Sequence, residues 1–470
     1  MRPRASALPR LRLRRRPAAA RRSLVTLAIE TSCDDTAVAV LEHTPTRTRL
    51  LFNERISSDL RAYRGIRPAM ALEGHQRTLA GLVRAAIAHL PDPGRQRGPD
   101  LVSATRGPGI HANLATGLFT AKGLAVAWGV PLVGVHHMQA HALTPRLVRA
   151  LGMPMAGEVE DAAASAPAAT ASAASPRTQT PEFPFLTLLV SGGHSQLVLS
   201  SSLTSHRVLA TTADAALGNV LDQTARVVLP EAVLAASPDV MYGRQLEAYA
   251  FSDPPSVSDS ASSSPYAFYT PPRTRAEEIA DADTGYPWRV PLPMRTTRRL
   301  AYSFSAIHST VHAIAADRAG RMDDAERRAL ARHTQRAAFQ HLASRLCLAL
   351  EDDGPARAAT TLVVAGGVAC NKFLMHVLRT TLEARGFLSS GGGGDGSGIR
   401  EIVAPPVALC TDNAAMIAWA GMEMYAAGWH SDLDVVPVPK WPLDPSVRLP
   451  EKHGGGPGGL MEIGGWLRWK

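Results

Sequence analysis

Two histidines four residues apart, in His137-Met-Gln-Ala-His141, are the side chains of this chain whose spacing most directly suggests chemistry. On a helix, residues i and i+4 share one face with Cβ atoms roughly 6 Å apart, close enough for both imidazoles to bind one cation. Two imidazoles leave such a site incomplete, so a further ligand must come from elsewhere. Asp412, in Leu-Cys-Thr-Asp-Asn (409–413), is the candidate: it follows an apolar run and opens the helix-like stretch NAAMIAWAGMEMYAAG. Free backbone N–H groups at a helix start can hold a carboxylate while it binds metal. A histidine pair that is merely packed, or that caps a helix, is the competing account. His136 is read as an orienting or packing residue. Met138 stands where an HExxH zinc protease has its general-base Glu, which disfavours that chemistry.

Four other segments have residue types suited to a nucleotide. Leu189-Val190-Ser191-Gly192-Gly193-His194 places glycines after an apolar run, where backbone N–H groups can approach phosphate oxygens and converge as an anion nest. The turn is too short for a P-loop and has no Lys, and taken alone an ordinary hairpin turn explains it better. In Ala365-Gly-Gly-Val-Ala-Cys-Asn371, Gly366 and Gly367 would let an adenosine lie against the backbone, with Asn371 bonding sugar or base. Glycine at a strand–helix junction also serves packing alone. Glu30-Thr-Ser-Cys-Asp-Asp-Thr36 gathers acids and hydroxyls after a first buried strand. Its N–H groups could hold phosphate, or Asp34 and Asp35 a phosphate-bound cation, and a solvated polar turn is the alternative. Asp222, on an otherwise apolar helical face, could accept from a ribose hydroxyl, or simply pair with Arg226 at i+4.

The elements that must position these residues alternate between strand-like and helix-like runs. LVTLAIET (24–31) reads as a buried strand, continued after a turn by VAVLEH; PLVGV (131–135) is a short buried strand. NLATGLFTAKGLAVAWG (113–129) reads as a helix stopped by Gly129, and HHMQAHALTPRLVRAL as another. FLTLLV (185–190), SGGH and SQLVLS form a strand–glycine turn–strand pattern, and residues 361–386 a strand, Gly-Gly, then an amphipathic helix. This alternation predicts an α/β fold, and α/β folds bind ligands where strands end. Residues 154–181, 253–273 and 389–398 are rich in Ala, Ser, Pro or Gly and lack periodicity, so each is expected to be a flexible surface excursion.

Composition narrows the classes. A chain of 470 residues with 45% hydrophobic content can fill a sizeable core and is long enough for two lobes. Four cysteines without a CxxC pair exclude a disulfide framework and a structural zinc cluster, and point to a reducing compartment. No apolar stretch is long enough to predict a membrane span. The net charge of +9 is local: residues 1–22 contain nine Arg and no acid, and without them the basic residues equal the 41 acidic ones. Such a leader reads as a mitochondrial transit peptide, with a basic nucleic-acid arm or plain tail as the alternative.

Taken in order, the motifs AIETSCDDTAVAV, TRGPGIHANLATGLFTAKGLA, GVHHMQAHALTPRL, LLVSGGHSQL, SFSAIHSTV, VVAGGVACNKFL and CTDNAAMIAWAGMEMY resemble the tRNA N6-adenosine threonylcarbamoyltransferase family, from about Leu24 to Gly428. The resemblance implies a two-lobed α/β fold of the actin, sugar-kinase and heat-shock chaperone ATPase type, with a nucleotide cleft between lobes. One lobe would span 24–143 and be completed by a helix at 413–428; the other would span 144–412, with 429–470 as a C-terminal extension. The implied activity moves a threonylcarbamoyl group from threonylcarbamoyl-AMP to N6 of the adenosine beside the anticodon, in tRNAs reading codons that begin with A. Carried over by motif, His137, His141 and Asp412 match the metal ligands for one divalent ion per subunit, Zn²⁺ or Fe²⁺. Leu189, Val190, Ser191, Gly192 and Gly193 match the segment touching the adenylate, Asp222 the acid on the ribose, Gly243 the second glycine of a Gly-Gly pair, and Asn371 the nucleotide-binding Asn. Asp34 and Asp35 are candidates for taking the proton from the adenosine amine.

The leader points to the mitochondrial branch and the matrix. Partners implied are tRNA, a separate threonylcarbamoyl-AMP synthase and a second copy of the chain as a homodimer. The chain departs from the family pattern at Tyr242, Gln223 and Asn219, and has no Glu after Pro68. A metal-dependent peptidase and a non-catalytic actin-like ATP-binding subunit are the rival readings.

Overall fold

Runs of Val, Leu, Ile and Ala open the chain as an antiparallel meander of Leu24–Glu30 (β1), Asp35–His43 (β2) and Thr48–Ser57 (β3). The structure, a computed structural model, describes residues 23–60, 63, 65–91, 98–156, 179–252, 264–388, 398–449, 451 and 455–469. The predicted leader, 1–22, lies outside the described residues. Leu101–Gly107 (β4) adds in parallel to β1, and Leu132–His136 (β5) in parallel to β4. All three of β1, β4 and β5 are buried almost throughout, the pattern expected of strands covered on both faces.

Phe185–Val190 (β6), Ser195–Ser200 (β7) and His206–Thr211 (β8) form a second meander. Thr361–Ala365 (β9) and Glu401–Val403 (β10) extend it in parallel from β6. The two sheets therefore repeat one order and one set of directions: β3-β2-β1-β4-β5 and β8-β7-β6-β9-β10. This duplicated unit is the two-lobed α/β architecture expected from the sequence.

Helices separate and cover the sheets. Pro68–Ile87 (α1) and His111–Trp128 (α2) pack on one face of the first sheet. Gly129 ends α2 in the left-handed region at φ 63°, as its place after the apolar run predicts. His137–Leu151 (α3) and a late helix, Ala414–Ala426, lie between the sheets in a core that joins Ala28 and Val135 to Phe185 and Val363. The outer face of the second sheet is covered by Leu217–Val228 (α4), Gly243–Ala250 (α5), Ser305–Asp317 (α6), Asp324–Asp352 (α7) and Lys372–Ala384 (α8), and the late helix becomes α9. No described helix is long and apolar enough to cross a membrane.

Three expectations need revision. Residues 253–263 lie outside the described residues, but 264–273 are not a loose excursion. Tyr269 is 6% exposed with its hydroxyl 2.9 Å from Thr381 Oγ1, and the rings of Tyr266 and Phe268 lie against Phe373. Three aromatics in four residues give this Ser/Pro-rich segment enough apolar surface to dock. Of 154–181, residues 157–178 lie outside the described residues, but both flanks are held: Ala156 N–H donates to Ala404 O, and the Arg146 guanidinium donates to the Gln179 and Pro181 carbonyls. Residues 389–397 also lie outside the described residues. The segment 429–470, set apart above as an extension, supplies Trp429–Ser431 (β11) and, after the small pair Arg448–Leu449 (β12) and Gly456–Pro457 (β13), Trp466–Arg468 (β14). β11 and β14 complete the first sheet beyond β5, making it seven-stranded.

Candidate metal centre

Parallel pairing brings the C-terminal ends of β1, β4 and β5 to one edge of the first sheet. β5 ends at His136 and α3 begins at His137. His136 is the helix cap: its Nδ1 accepts the Met138 N–H at 3.2 Å, and its Nε2 donates to Trp441 O at 3.1 Å. Burial pushes its pKa well below the ordinary imidazole value, so the ring stays neutral and can accept at the helix start. His137 follows it at 5% exposure, with one ring nitrogen toward Glu30 and the other toward Asp412.

His137 Nε2 and His141 Nε2 lie 3.2 Å apart, and each is close to Asp412 Oδ1, at 3.3 and 3.1 Å respectively. One ligand atom from each residue falls within 4.8 Å of the others. Asp412 sits in the turn between the short helix Val407–Cys410 and α9. Contrary to the sequence expectation, it is not the residue held by the helix start. Asn413 is the cap, its Oδ1 accepting the Met416 N–H at 3.0 Å, which leaves the Asp412 carboxylate to the imidazoles.

Burial opposes charge on both partners, yet each stays charged because of the other. Asp412 and Glu30 raise His137 to about 10 despite burial, while His137 and His141 hold Asp412 well below the usual carboxylate range. A carboxylate and two imidazoles whose ligand atoms come this close fit a divalent cation. Two nitrogens and one oxygen suit Zn²⁺ or Fe²⁺. His194, at the end of the glycine turn, is pushed down to about 4 by burial and then by His137 and His141, so it is neutral beside them.

Glu30 was not singled out from the sequence. It ends β1 at 1% exposure; one oxygen accepts the Ser32 N–H, and the other accepts Thr105 Oγ1–H and lies 3.2 Å from His137 Nδ1. Burial works against its charge, but His137 outweighs burial and keeps its pKa below the ordinary value. A carboxylate closing an apolar strand was the available signal. Its partners come from β4 and α3, which sequence spacing does not bring together.

Asp35 is 5% exposed and bonded to Ser57 Oγ and Arg55 Nη1. Burial lifts it to about 7 against the pull of Arg55, and Asp34, more exposed, is also raised by burial. Arg55 Nη1 donates to Thr411 Oγ1 at 2.7 Å, which ties the first lobe to the turn holding Asp412.

Opposite this cluster lies the glycine turn. Ser191 N–H donates to His194 O at 2.8 Å, and the Gly193 and His194 N–H groups reach Ser191 Oγ. Three N–H groups are thus met inside the turn, and the expected anion nest reduces to the Gly192 N–H. Gly192 and Gly193 are exposed, and a Cβ at either would meet nothing within 4 Å. Behind them the backbone is crowded. A Cβ on Gly218 would lie 2.7 Å from Gly192 N, and one on Gly366, at φ +94°, 2.5 Å from Val190 O. Leu189 and Val190 are buried in β6 and contribute backbone alone.

Asp222 is half-buried on α4 and accepts the Gly243 N–H at 2.7 Å; burial raises its pKa to about 7. Tyr242, the departure from Gly-Gly, points into the core at 7% exposure with the Arg226 guanidinium over its ring, so it does not fill the space beside Asp222. Asn371 caps α8: its Oδ1 accepts the Leu374 N–H, and its Nδ2 donates to Gln335. Neither Asp222 nor Asn371 bonds to the metal-directed residues. Asp222 shares α4 with Gly218, and Asn371 follows Gly366 in the chain; these two glycines pack behind the glycine turn.

The chain resembles known proteins along most of its length. A protein-family model described as tRNA N6-adenosine threonylcarbamoyltransferase matches residues 49–165 and 165–419. The mitochondrial tRNA N6-adenosine threonylcarbamoyltransferase of Schizosaccharomyces pombe is 32% identical over 96% of this chain and 90% of its own length. The tRNA N6-adenosine threonylcarbamoyltransferase of Rhizobium meliloti is 33% identical over 90% of this chain and 96% of its own. Among solved structures, HypF of T. kodakarensis is similar at 14% identity and a TM-score of 0.41, over 86% of this chain and 48% of that one. The chain belongs to the tRNA N6-adenosine threonylcarbamoyltransferase family, a family of acyl-transferring enzymes.

Proposed function

We propose that this chain transfers the threonylcarbamoyl group of threonylcarbamoyl-AMP to N6 of the adenosine beside the anticodon, in tRNAs reading codons that begin with A. The observation that carries the reading is the convergence of His137, His141 and Asp412 on one point, at the edge where β1, β4 and β5 end. Family membership supplies the substrates.

The donor is a mixed anhydride and already activated, so no protein nucleophile is required. His137, His141 and Asp412 hold the divalent ion, which when bound supplies Lewis-acid stabilisation of charge developing on the donor's oxygens. Gly192 and Gly193 let the adenylate approach the backbone, with the Gly192 N–H as a donor to it. Leu189, Val190 and Ser191 fix that turn. Asp222 accepts from the ribose while the Gly243 N–H orients its carboxylate. Asn371, by capping α8, shapes the adenosine side of the cleft.

Asp34 takes the proton from the adenosine amine; its raised pKa brings it closer to the working range of a general base. Asp35 orients Arg55. The two lobes exclude water that would hydrolyse the donor. The target base must leave any stack to reach the cleft, at a cost of about a few kcal/mol, less in a loop.

The mitochondrial name of one relative and the acid-free leader at 1–22 support action in the mitochondrial matrix. A separate synthase makes the donor, and the working form is a homodimer. Incubating the purified chain with threonylcarbamoyl-AMP and tRNA, then resolving the digested nucleosides by mass, tests the reading. N6-threonylcarbamoyladenosine is expected; its absence with metal-supplied protein overturns the proposal, and peptide cleavage in its place would favour a peptidase.

A further inference from the structure

The three metal-directed residues are not equally constrained. His141 Nε2 faces His137 and Asp412, but His137 is gripped at both ring nitrogens. Its Nε2 looks toward Asp412 and His141, and its Nδ1 toward the Glu30 carboxylate at 3.2 Å. A further hydroxyl, Ser32 Oγ, lies 3.4 Å from the same Nδ1. An imidazole can offer a lone pair at Nε2 only if its proton sits on Nδ1, and a carboxylate at Nδ1 secures that tautomer.

Glu30 is suited to the task because it is itself immobile. It is 1% exposed, and its remaining acceptor capacity is met by Ser32 N–H and Thr105 Oγ1–H. These donors come from the turn after β1 and from β4. Parallel pairing of β1 with β4, in the register Ile29 with Ala104, places Thr105 beside Glu30. The β4–β5 pair then brings the start of α3 to the same edge. An ionised carboxylate at this depth is costly unless every oxygen is used. The sheet thus maintains a buried acid for which it has no packing need.

We propose that Glu30 is the positioning residue of the metal centre: through Nδ1 it fixes the tautomer and the ring plane of His137, so that Nε2 is presented to the ion. Glu30 does not ligate the ion and does not touch substrate. The inference rests on the metal-centre reading above and adds to it a residue the ligand motif does not contain.

The test is metal affinity, read apart from turnover. Metal-free full-length chain, with and without Glu30→Gln, is titrated with Zn²⁺ in competition with a chromophoric chelator, and separately with Co²⁺ while the visible d–d bands are recorded. The amide keeps the size of the side chain but cannot accept from all three donors at once. Zn²⁺ affinity is expected to fall about 10- to 100-fold, with shifted Co²⁺ bands, while the circular dichroism of the metal-free variant shows that it is folded. Thr105→Val, which removes one donor to Glu30 and leaves the carboxylate, covers the case in which E30Q fails to fold. It should weaken Zn²⁺ binding in the same direction by a smaller factor. Equal Zn²⁺ affinity and unchanged bands in the variants and the unsubstituted chain overturn the positioning role while leaving the three ligands in place. If the unsubstituted chain binds no divalent ion, the metal-centre reading falls, and this inference with it.

Discussion

The turns after β1 and after β6 occupy the same place in two copies of one sheet arrangement, yet they are built from opposite materials. In residues 31–34 the side chains do the work. Ser32 and the flanking Glu30 face His137, Asp35 holds Ser57 and Arg55, and Cys33 O accepts from His75 and Asn113. In residues 191–194 the side chains withdraw: two exposed glycines show backbone alone, and Ser191 spends its hydroxyl inside the turn. On the proposed reading, one turn borders the metal-directed residues through Ser32 and Glu30, and the other leaves room for close approach of a large anionic ligand. A duplicated fold thereby acquires two different halves of a site without changing its topology.

Breaking the metal-directed cluster beside the first turn should have the largest effect. Asp412→Asn or His141→Ala should lower transfer by about a hundredfold or more, because charge stabilisation at the donor is lost. Metal content of the purified variants, measured by mass spectrometry, should fall in parallel. Activity retained with the ion absent would remove the contrast between the turns.

The second turn can be separated into its front and its back. Gly366→Ala forces a Cβ to 2.5 Å from Val190 O at a left-handed φ, and should cost about 2 kcal/mol of stability by chemical denaturation. Gly193→Ala meets open space and should leave stability within about 0.5 kcal/mol. It should instead raise KM for the adenylate, roughly tenfold for one added methyl facing the ligand. A stability loss at Gly193 equal to that at Gly366 would make the turn structural throughout.

Asp222 sharpens the comparison by pH. Its folded pKa is raised from 3.8 to about 7 by burial, so between those values the folded protein holds a proton that the unfolded chain has released. Its contribution to stability therefore falls as pH rises through that window, and Asp222→Asn should flatten the decline. The ionised carboxylate is the better acceptor for a ribose hydroxyl, so KM for the donor should fall as pH rises through about 7, and should not do so in D222N. The smallest effect belongs to Asn371. Asn371→Ala should cost about 1 kcal/mol as a lost helix cap, and Asn371→Ser should restore most of it. Unchanged melting in N371A would return Asn371 to a purely ligand-facing role.

How far the sequence reaches follows from the range of the interactions involved. The strands, the Gly129 stop and the i, i+4 histidine pair are local patterns, and they read off directly. The Asp412 assignment needed only a carboxylate at an element boundary, although Asn413 rather than Asp412 proved to be the cap. Glu30 was out of reach because its role depends on the register of β1 against β4, which brings Thr105 to its side across a sequence gap of 75 residues. Tyr266 to Tyr269 were misread because Ser and Pro dominate the window, while burial is decided by three rings that find Phe373. The chain end was set apart because the family motifs stop at about Gly428, and three-residue strands such as β11 and β14 are too short to show a periodicity of their own.

On the proposed reading, three side chains from two distant segments meet around one ion on which transfer depends. The most direct test is stepwise addition of Zn²⁺ or Fe²⁺ to metal-free chain, with bound ion and threonylcarbamoyl transfer to tRNA measured on the same samples. Transfer should rise in proportion to occupancy and saturate at one ion per chain, and D412N should neither bind nor transfer. Full transfer by the metal-free chain, or D412N binding and transferring like the unsubstituted protein, would contradict that reading.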